Sequence, residues 1–251
     1  MSKKISFSNE PRIWFYVNEN LVSSKSSQEI SEIFLLNNNF YCDSKGSKVK
    51  LLSRECLSLD GHERIGFQVT PTIRGQMDKD HFRNHCVSLF LTPGLPIFDN
   101  LKIDYCPNCY SMKPEHNYRL CNKIACLKCG EKGCPGDCCS KAAHQNCKKC
   151  LFCGCKGHST FDMKCILFRT AILHSIDSSN FKYDKLFLHV DHLPIDQRNV
   201  ENKLYRNEWF NSTSNGYSIG RIVIDVGQLR KSVFNYFQSV NEINQLSRNS
   251  S

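Results

Sequence analysis

Thirteen of the sixteen cysteines lie between Cys106 and Cys165, and the other three, Cys42, Cys56 and Cys86, are scattered through the first hundred residues. Within the cluster the thiols recur as Cys-x2-Cys pairs. Zinc takes four nitrogen or sulfur ligands in a tetrahedron, and a Cys-x2-Cys pair presents two of them from one tight turn. Three candidate ligand sets follow. The first, "CPNCYSMKPEHNYRLC", offers Cys106, Cys109, His116 and Cys121. The second, "CLKCGEKGCPGDCC", offers Cys126, Cys129, Cys134 and Cys139, with Gly130, Gly133 and Gly136 suited to a loop wound closely round an ion. The third, "CLFCGCKGHSTFDMKC", offers Cys150, Cys153, His158 and Cys165. Cys138, His144, Cys147 and Cys155 are left over, enough for a fourth ion. Cys138 competes with Cys139 for one role, and Cys147 with Cys150, because "CKKCLFC" holds two overlapping pairs. The expectation is about three zinc ions, with room for a fourth.

The gaps between ligands are two, four and four residues in the second set, two, four and six in the third, and two, six and four in the first. This pattern resembles the Cys-x2-Cys-x4-His-x4-Cys zinc knuckle of retroviral and retrotransposon nucleocapsid proteins, over residues 106–165 only. The second set keeps the family's spacing but has Cys134 in place of histidine, a change that preserves a zinc ligand. The resemblance implies binding of single-stranded nucleic acid, RNA before DNA. Bases stack on rings in the knuckle turns while basic side chains hold the phosphates. The matching rings are Phe152, Phe161, Tyr110 and Tyr118, and the matching basic residues are Arg119, Lys148, Lys149, Lys156 and Lys164. The competing reading has the same rings forming a miniature core between knuckles.

Charge supports a polyanionic partner. Residues 101–169 hold 12 Lys+Arg and 5 Asp+Glu, a net of +7 out of +9 for the chain. The flanking stretches, 1–100 and 170–251, are each +1 (12 against 11, and 9 against 8). Lysines on a metal-built surface form an electrostatic footprint for nucleic acid.

The elements that must position these residues lie on both sides. "RIWFYV", "KVKLL", "RIGFQV" and "CVSLFLT" read as strands, and "SSQEISEIFLL" as a helix capped by Ser27. Beyond the cysteines, "CILFRTAILHSI" has helical spacing, "KLFLHVDHL" and "GRIVIDV" read as strands, and "LRKSVFNYFQSVNEINQL" is an amphipathic helix. The expected fold is α+β: a β-rich region over 1–103, a zinc-knuckle region over 104–167, an α/β region over 168–241 and a polar tail over 242–251. The periodicity does not say whether the two flanks make one domain or two. They are expected to supply contacts to protein partners.

Other chemistries fit less well. The N-terminus has no apolar leader and no run reaches the roughly 20 residues of a membrane span, so an intracellular, cytoplasmic or nuclear location is expected, where clustered thiols bind metal. No membrane contact and no small-molecule substrate are expected. A zinc deaminase needs His-x-Glu, whereas Glu63 directly follows His62. "IDVG" at 224–227 has Val226 where an aspartic protease carries a hydroxyl, and His189 and His192 face opposite sides of a strand. No enzyme is expected. The alternative is a zinc-built protein–protein scaffold, with a RING-like ubiquitin ligase weaker because only Cys165 remains where a terminal pair is needed.

Overall fold

The computed structural model describes residues 9–38, 40, 49–57, 61–78, 86–90, 92–101, 103–112, 116–123, 125–126, 149–158, 160–189, 205–211 and 218–249. It combines helices with antiparallel sheets, the α+β mixture expected. In chain order the elements are β1 (Arg12–Asn18), α1 (Glu19–Val22), α2 (Ser27–Asn37), β2 (Val49–Leu57), β3 (His62–Val69), α3 (Pro71–Met77), β4 (Cys86–Leu89), β5 (Thr92–Pro96) and β6 (Phe98–Asp99). A 3-10 turn, Tyr118–Leu120, lies among the cysteines, and α4 (Ile166–Asp177), β7 (Lys185–His189), β8 (Tyr205–Asn211), β9 (Ser218–Asp225) and α5 (Val226–Asn249) follow.

The first sheet runs β2-β3-β1-β6 and is built round β1, which pairs antiparallel with both β3 and β6. Its central place explains the apolar run, because both faces of β1 are covered. Phe15 on one face packs with Phe67 of β3 and Phe34 of α2, with Phe34 and Phe67 stacked at 4.6 Å between ring centres. Trp14 on the other stacks on Phe98 of β6 at 4.4 Å, beneath the Arg64 guanidinium. α2 begins one residue earlier than its sequence pattern suggests. Ser26 is the N-cap: its Oγ accepts from the Glu29 N–H, while the Glu29 carboxylate accepts from the Ser26 N–H. This reciprocal pairing satisfies two helix-end donors at once, which Ser27 cannot do.

The chain divides into two compact units. The first holds residues 1–101 together with 176–188 and 208–221, so segments on the far side of the cysteines share a unit with the N-terminal sheet. A buried ion pair explains the attachment. Arg74 of α3 donates through Nε and Nη2 to the Asp99 carboxylate at 2.9 and 3.0 Å, and Asp99 also accepts from the Phe187 N–H of β7 at 2.9 Å. Phe181, Tyr183 and Phe187 surround the guanidinium. The α/β region expected over 168–241 is therefore shared between the units, and the tail expected from residue 242 is helical as far as Asn249. β8 had no clear sequence signal; β7, β9 and β8 form a three-stranded sheet in that order.

Candidate metal centres

Each candidate cluster begins with a small hairpin. In the first, Tyr105 pairs with Met112, the Cys106 N–H donates to the Ser111 carbonyl at 3.0 Å, and the Tyr110 N–H donates to the Cys106 carbonyl at 2.7 Å. In the second, Lys149 pairs with Lys156, the Cys150 N–H donates to the Cys155 carbonyl at 2.9 Å, and the Gly154 N–H donates to the Cys150 carbonyl at 2.8 Å. The two match position for position, down to a residue with positive φ after the second cysteine: Tyr110 at 57° and Gly154 at 75°. Such a turn aims two thiols at one point.

Different segments supply the remaining ligands. In the first cluster the Asn117 carbonyl and side chain accept from the Leu120 and Arg119 N–H groups, which closes the 3-10 turn and delivers Cys121. The Asn108 side chain then donates to the Cys121 carbonyl at 2.9 Å. In the second, Thr160 Oγ1 accepts from the Leu151 N–H, and the Cys165 N–H donates to the Asp162 carbonyl. Cys165 immediately precedes α4, and its carbonyl accepts from the Arg169 N–H at 3.1 Å, so a ligand is also the start of a helix.

The ligand atoms of Cys106, Cys109, His116 and Cys121 lie within 4.8 Å of one another, as do those of Cys150, Cys153, His158 and Cys165. Tetrahedral zinc with Zn–S near 2.3 Å and Zn–N near 2.0 Å separates its ligand atoms by about 3.5 to 3.8 Å. The observed Cys150–Cys165 sulfur separation is 3.5 Å, and the His116 and His158 Nε2 atoms lie 3.5 and 3.2 Å from Cys109 and Cys153. Both sets therefore fit the ion. Burial pushes the Cys106 thiol up, but hydrogen bonds from the Cys109 backbone, His116 and the Asn108 backbone outweigh it and bring the pKa to about 6. In the second cluster the Cys150 thiol, hydrogen-bonded to Cys165, is raised, while Cys165 is lowered chiefly by the same bond. Zinc binding at such a pair must displace whatever protons the thiols carry.

The first and third ligand sets read from the sequence are thus brought together whole, with Cys150 in the second cluster. Cys126 is buried at 3% exposure. Its partners Cys129, Cys134 and Cys139 lie outside the described residues, with Cys138, His144, Cys147, His192 and Lys148. Cys155 is exposed and belongs to neither cluster.

Three of the rings expected to stack on bases, Tyr110, Phe152 and Phe161, pack with one another and with Tyr105 and Phe168. Phe152 is only 9% exposed; it stacks on Phe168 of α4 at 6.0 Å and meets Phe161 edge-on at 5.2 Å. Tyr110 stacks on Tyr105, and both reach Phe161. Tyr118 opens the 3-10 turn. The basic residues are outside: Arg119, Lys149, Lys156 and Lys164 are all exposed. Sequence reasoning missed Tyr105 and Phe168. The signal for Tyr105 was its place directly before a ligand, and for Phe168 its position on the apolar side of α4. The "IDVG" stretch has a plain structural use, because Asp225 Oδ1 accepts from the Gln228 N–H at 2.8 Å in the first turn of α5.

Fold and site together define an α+β chain carrying two Cys3His clusters with zinc geometry. No protein-family model matches the chain, and no curated protein or solved structure matches it either. Among the described residues, no helix is long and apolar enough to cross a membrane.

Proposed function

We propose that the cysteine-rich segment is a zinc-built module that binds single-stranded nucleic acid, RNA in the first instance, mainly by gripping phosphates. The observation that carries this is the Lys149–Lys156 pair. Two exposed lysines stand directly across an antiparallel bridge, in a segment of net charge +7. Like charges in that position repel, at a cost of about 0.2–1 kcal/mol, unless an anion lies between them. The matching positions of the first hairpin hold Tyr105 and Met112, so the hairpin itself does not demand lysine. Lys164 and Arg119 are exposed in the same segment. The packed rings support this reading indirectly, by bracing the turns that carry the lysines. A flexible single strand can bring its phosphates to such short turns.

Fluorescence anisotropy with a single-stranded RNA, the matching DNA and a duplex tests the proposal. RNA affinity should fall as salt rises. Lys149→Gln plus Lys156→Gln should flatten the log–log slope by about 0.7 for each phosphate left without its lysine. Zinc content should stay unchanged. An affinity that ignores both salt and the double substitution sinks the proposal. Phe152→Ala is a poor test, because the ring is packed.

A protein-binding scaffold is the second reading. Leu120, 82% exposed at the end of the 3-10 turn beside Cys121, favours it, since an apolar side chain there gains little from water. Retention of a protein partner after nuclease treatment, abolished by Leu120→Asp, would support it.

A further inference from the structure

The two clusters share one interior. Tyr105 and Tyr110 flank Cys106 and Cys109 of the first centre. Phe152 precedes Cys153 of the second, and Phe161 lies in its last gap. Three ring contacts run from one set to the other: Tyr105–Phe152 at 6.0 Å, Tyr105–Phe161 at 5.5 Å and Tyr110–Phe161 at 6.2 Å. Phe168, three residues beyond the ligand Cys165, closes the group against Phe152 and Phe161. Tyr105, Tyr110, Phe152 and Phe161 sit in or beside turns that a metal ion would close, and Phe168 on the helix that follows Cys165. Hairpins this short do not hold their shape alone in water, and zinc-built turns of this kind fold only as they bind. An ion in one centre therefore presents half of a core on which the other can close.

The centres differ in access by degree. In the first, Cys106 is buried, Cys109 and Cys121 are half-buried and His116 is exposed; in the second, Cys150 and Cys165 are buried and Cys153 and His158 are half-buried. A chelator reaches the first more readily.

We propose that the two metal centres load and empty as one unit through the shared rings, and that the more accessible centre at Cys106, Cys109, His116 and Cys121 controls occupancy of the other. This rests on the metal-binding part of the function proposed above, and it gives that surface a regulator. When the outer ion leaves, the lysine-bearing hairpin at Cys150 loses its support as well.

Stepwise chelation of the full-length zinc-loaded protein, followed by thiol alkylation read peptide by peptide, tests this. In the natural protein, Cys106, Cys109 and Cys121 should lose protection at the same chelator concentration as Cys150, Cys153 and Cys165. His116→Ala, which removes a ligand of the first centre only, should shift loss of protection at the second to about tenfold lower chelator, the scale of coupling between groups packed together. Phe161→Leu touches no ligand and should separate the two midpoints. If that variant fails to fold, the His116→Ala arm still decides. Midpoints that differ in the natural protein, or a second centre unmoved by His116→Ala, overturn the inference. Thiols that zinc never protects overturn the metal reading with it. Coupled midpoints in a protein that ignores RNA uphold the inference and remove only the nucleic-acid proposal.

Discussion

Tyr110 and Gly154 occupy one position in two matching hairpins, each with positive φ. An L side chain there costs roughly 1–2 kcal/mol, and glycine escapes the cost. A Cβ on Gly154 would meet nothing within 4 Å, so space does not dictate the glycine; backbone conformation does. Gly154→Ala should therefore destabilise the zinc-loaded protein by about 1 kcal/mol in chemical unfolding. Tyr110 bears that strain because its ring packs on Tyr105 and Phe161. Tyr110→Ala should accordingly be worse than Tyr110→Gly by about 1 kcal/mol, since both lose the ring and only glycine relieves the backbone. Titration belongs to this scale too. A Cys106 thiol held near 6 is lowered from its ordinary value near 9, so its contribution to metal-free stability is complete above pH 9 and is lost as pH falls towards 6. Zinc must displace protons, so a pH series of zinc occupancy should show the first centre keeping its ion at neutral pH and emptying as the pH falls below about 6.

At the scale of elements, caps and one buried pair decide the boundaries. Ser26→Ala should cost about 1 kcal/mol by removing the α2 cap, while Ser27→Ala should cost little. Equal losses from the two, measured by thermal unfolding, would contradict the assignment. The two serines are adjacent and chemically identical, so sequence pattern alone could not choose between them; the reciprocal bond with Glu29 does. Asp99 joins α3, β6 and β7 by accepting from Arg74 and from the Phe187 N–H. Burial pushes the Arg74 guanidinium towards the neutral form, and Asp99 and Asp78 outweigh that and keep it charged. Asp99→Asn leaves a buried cation short of its counterion and should destabilise the first unit by about 3–5 kcal/mol. Nothing in "IFDN" distinguishes this aspartate from a turn residue, because its partners lie 25 and 88 positions away.

Across the whole molecule, two kinds of interior coexist. The first unit is built on oil, with Phe15, Phe34, Phe67 and Ile65 fully buried. The second contains both Cys3His clusters. Removing zinc with a chelator should abolish amide protection around Cys106–Cys121 and Cys150–Cys165, while β1 and β3 keep theirs. Simultaneous loss of protection in both would show that metal holds the sheet as well.

The amino-acid sequence alone put forward the ligand sets of both candidate centres, with Cys147 left competing with Cys150, because metal spacing is local: a Cys-x2-Cys turn and its partners lie within sixteen residues. It also determined the α+β character and most strands and helices, since hydrophobic period is a property of neighbours in the chain. Only the tertiary structure decided where the rings go. Phe152 and Phe161 have the same sequence signature whether they face a base or each other, and the packing of Tyr105, Tyr110 and Phe168 around them turns them inward. It likewise decided that residues 176–188 belong with the N-terminal sheet, because a buried charge finds its partner through space and not along the chain.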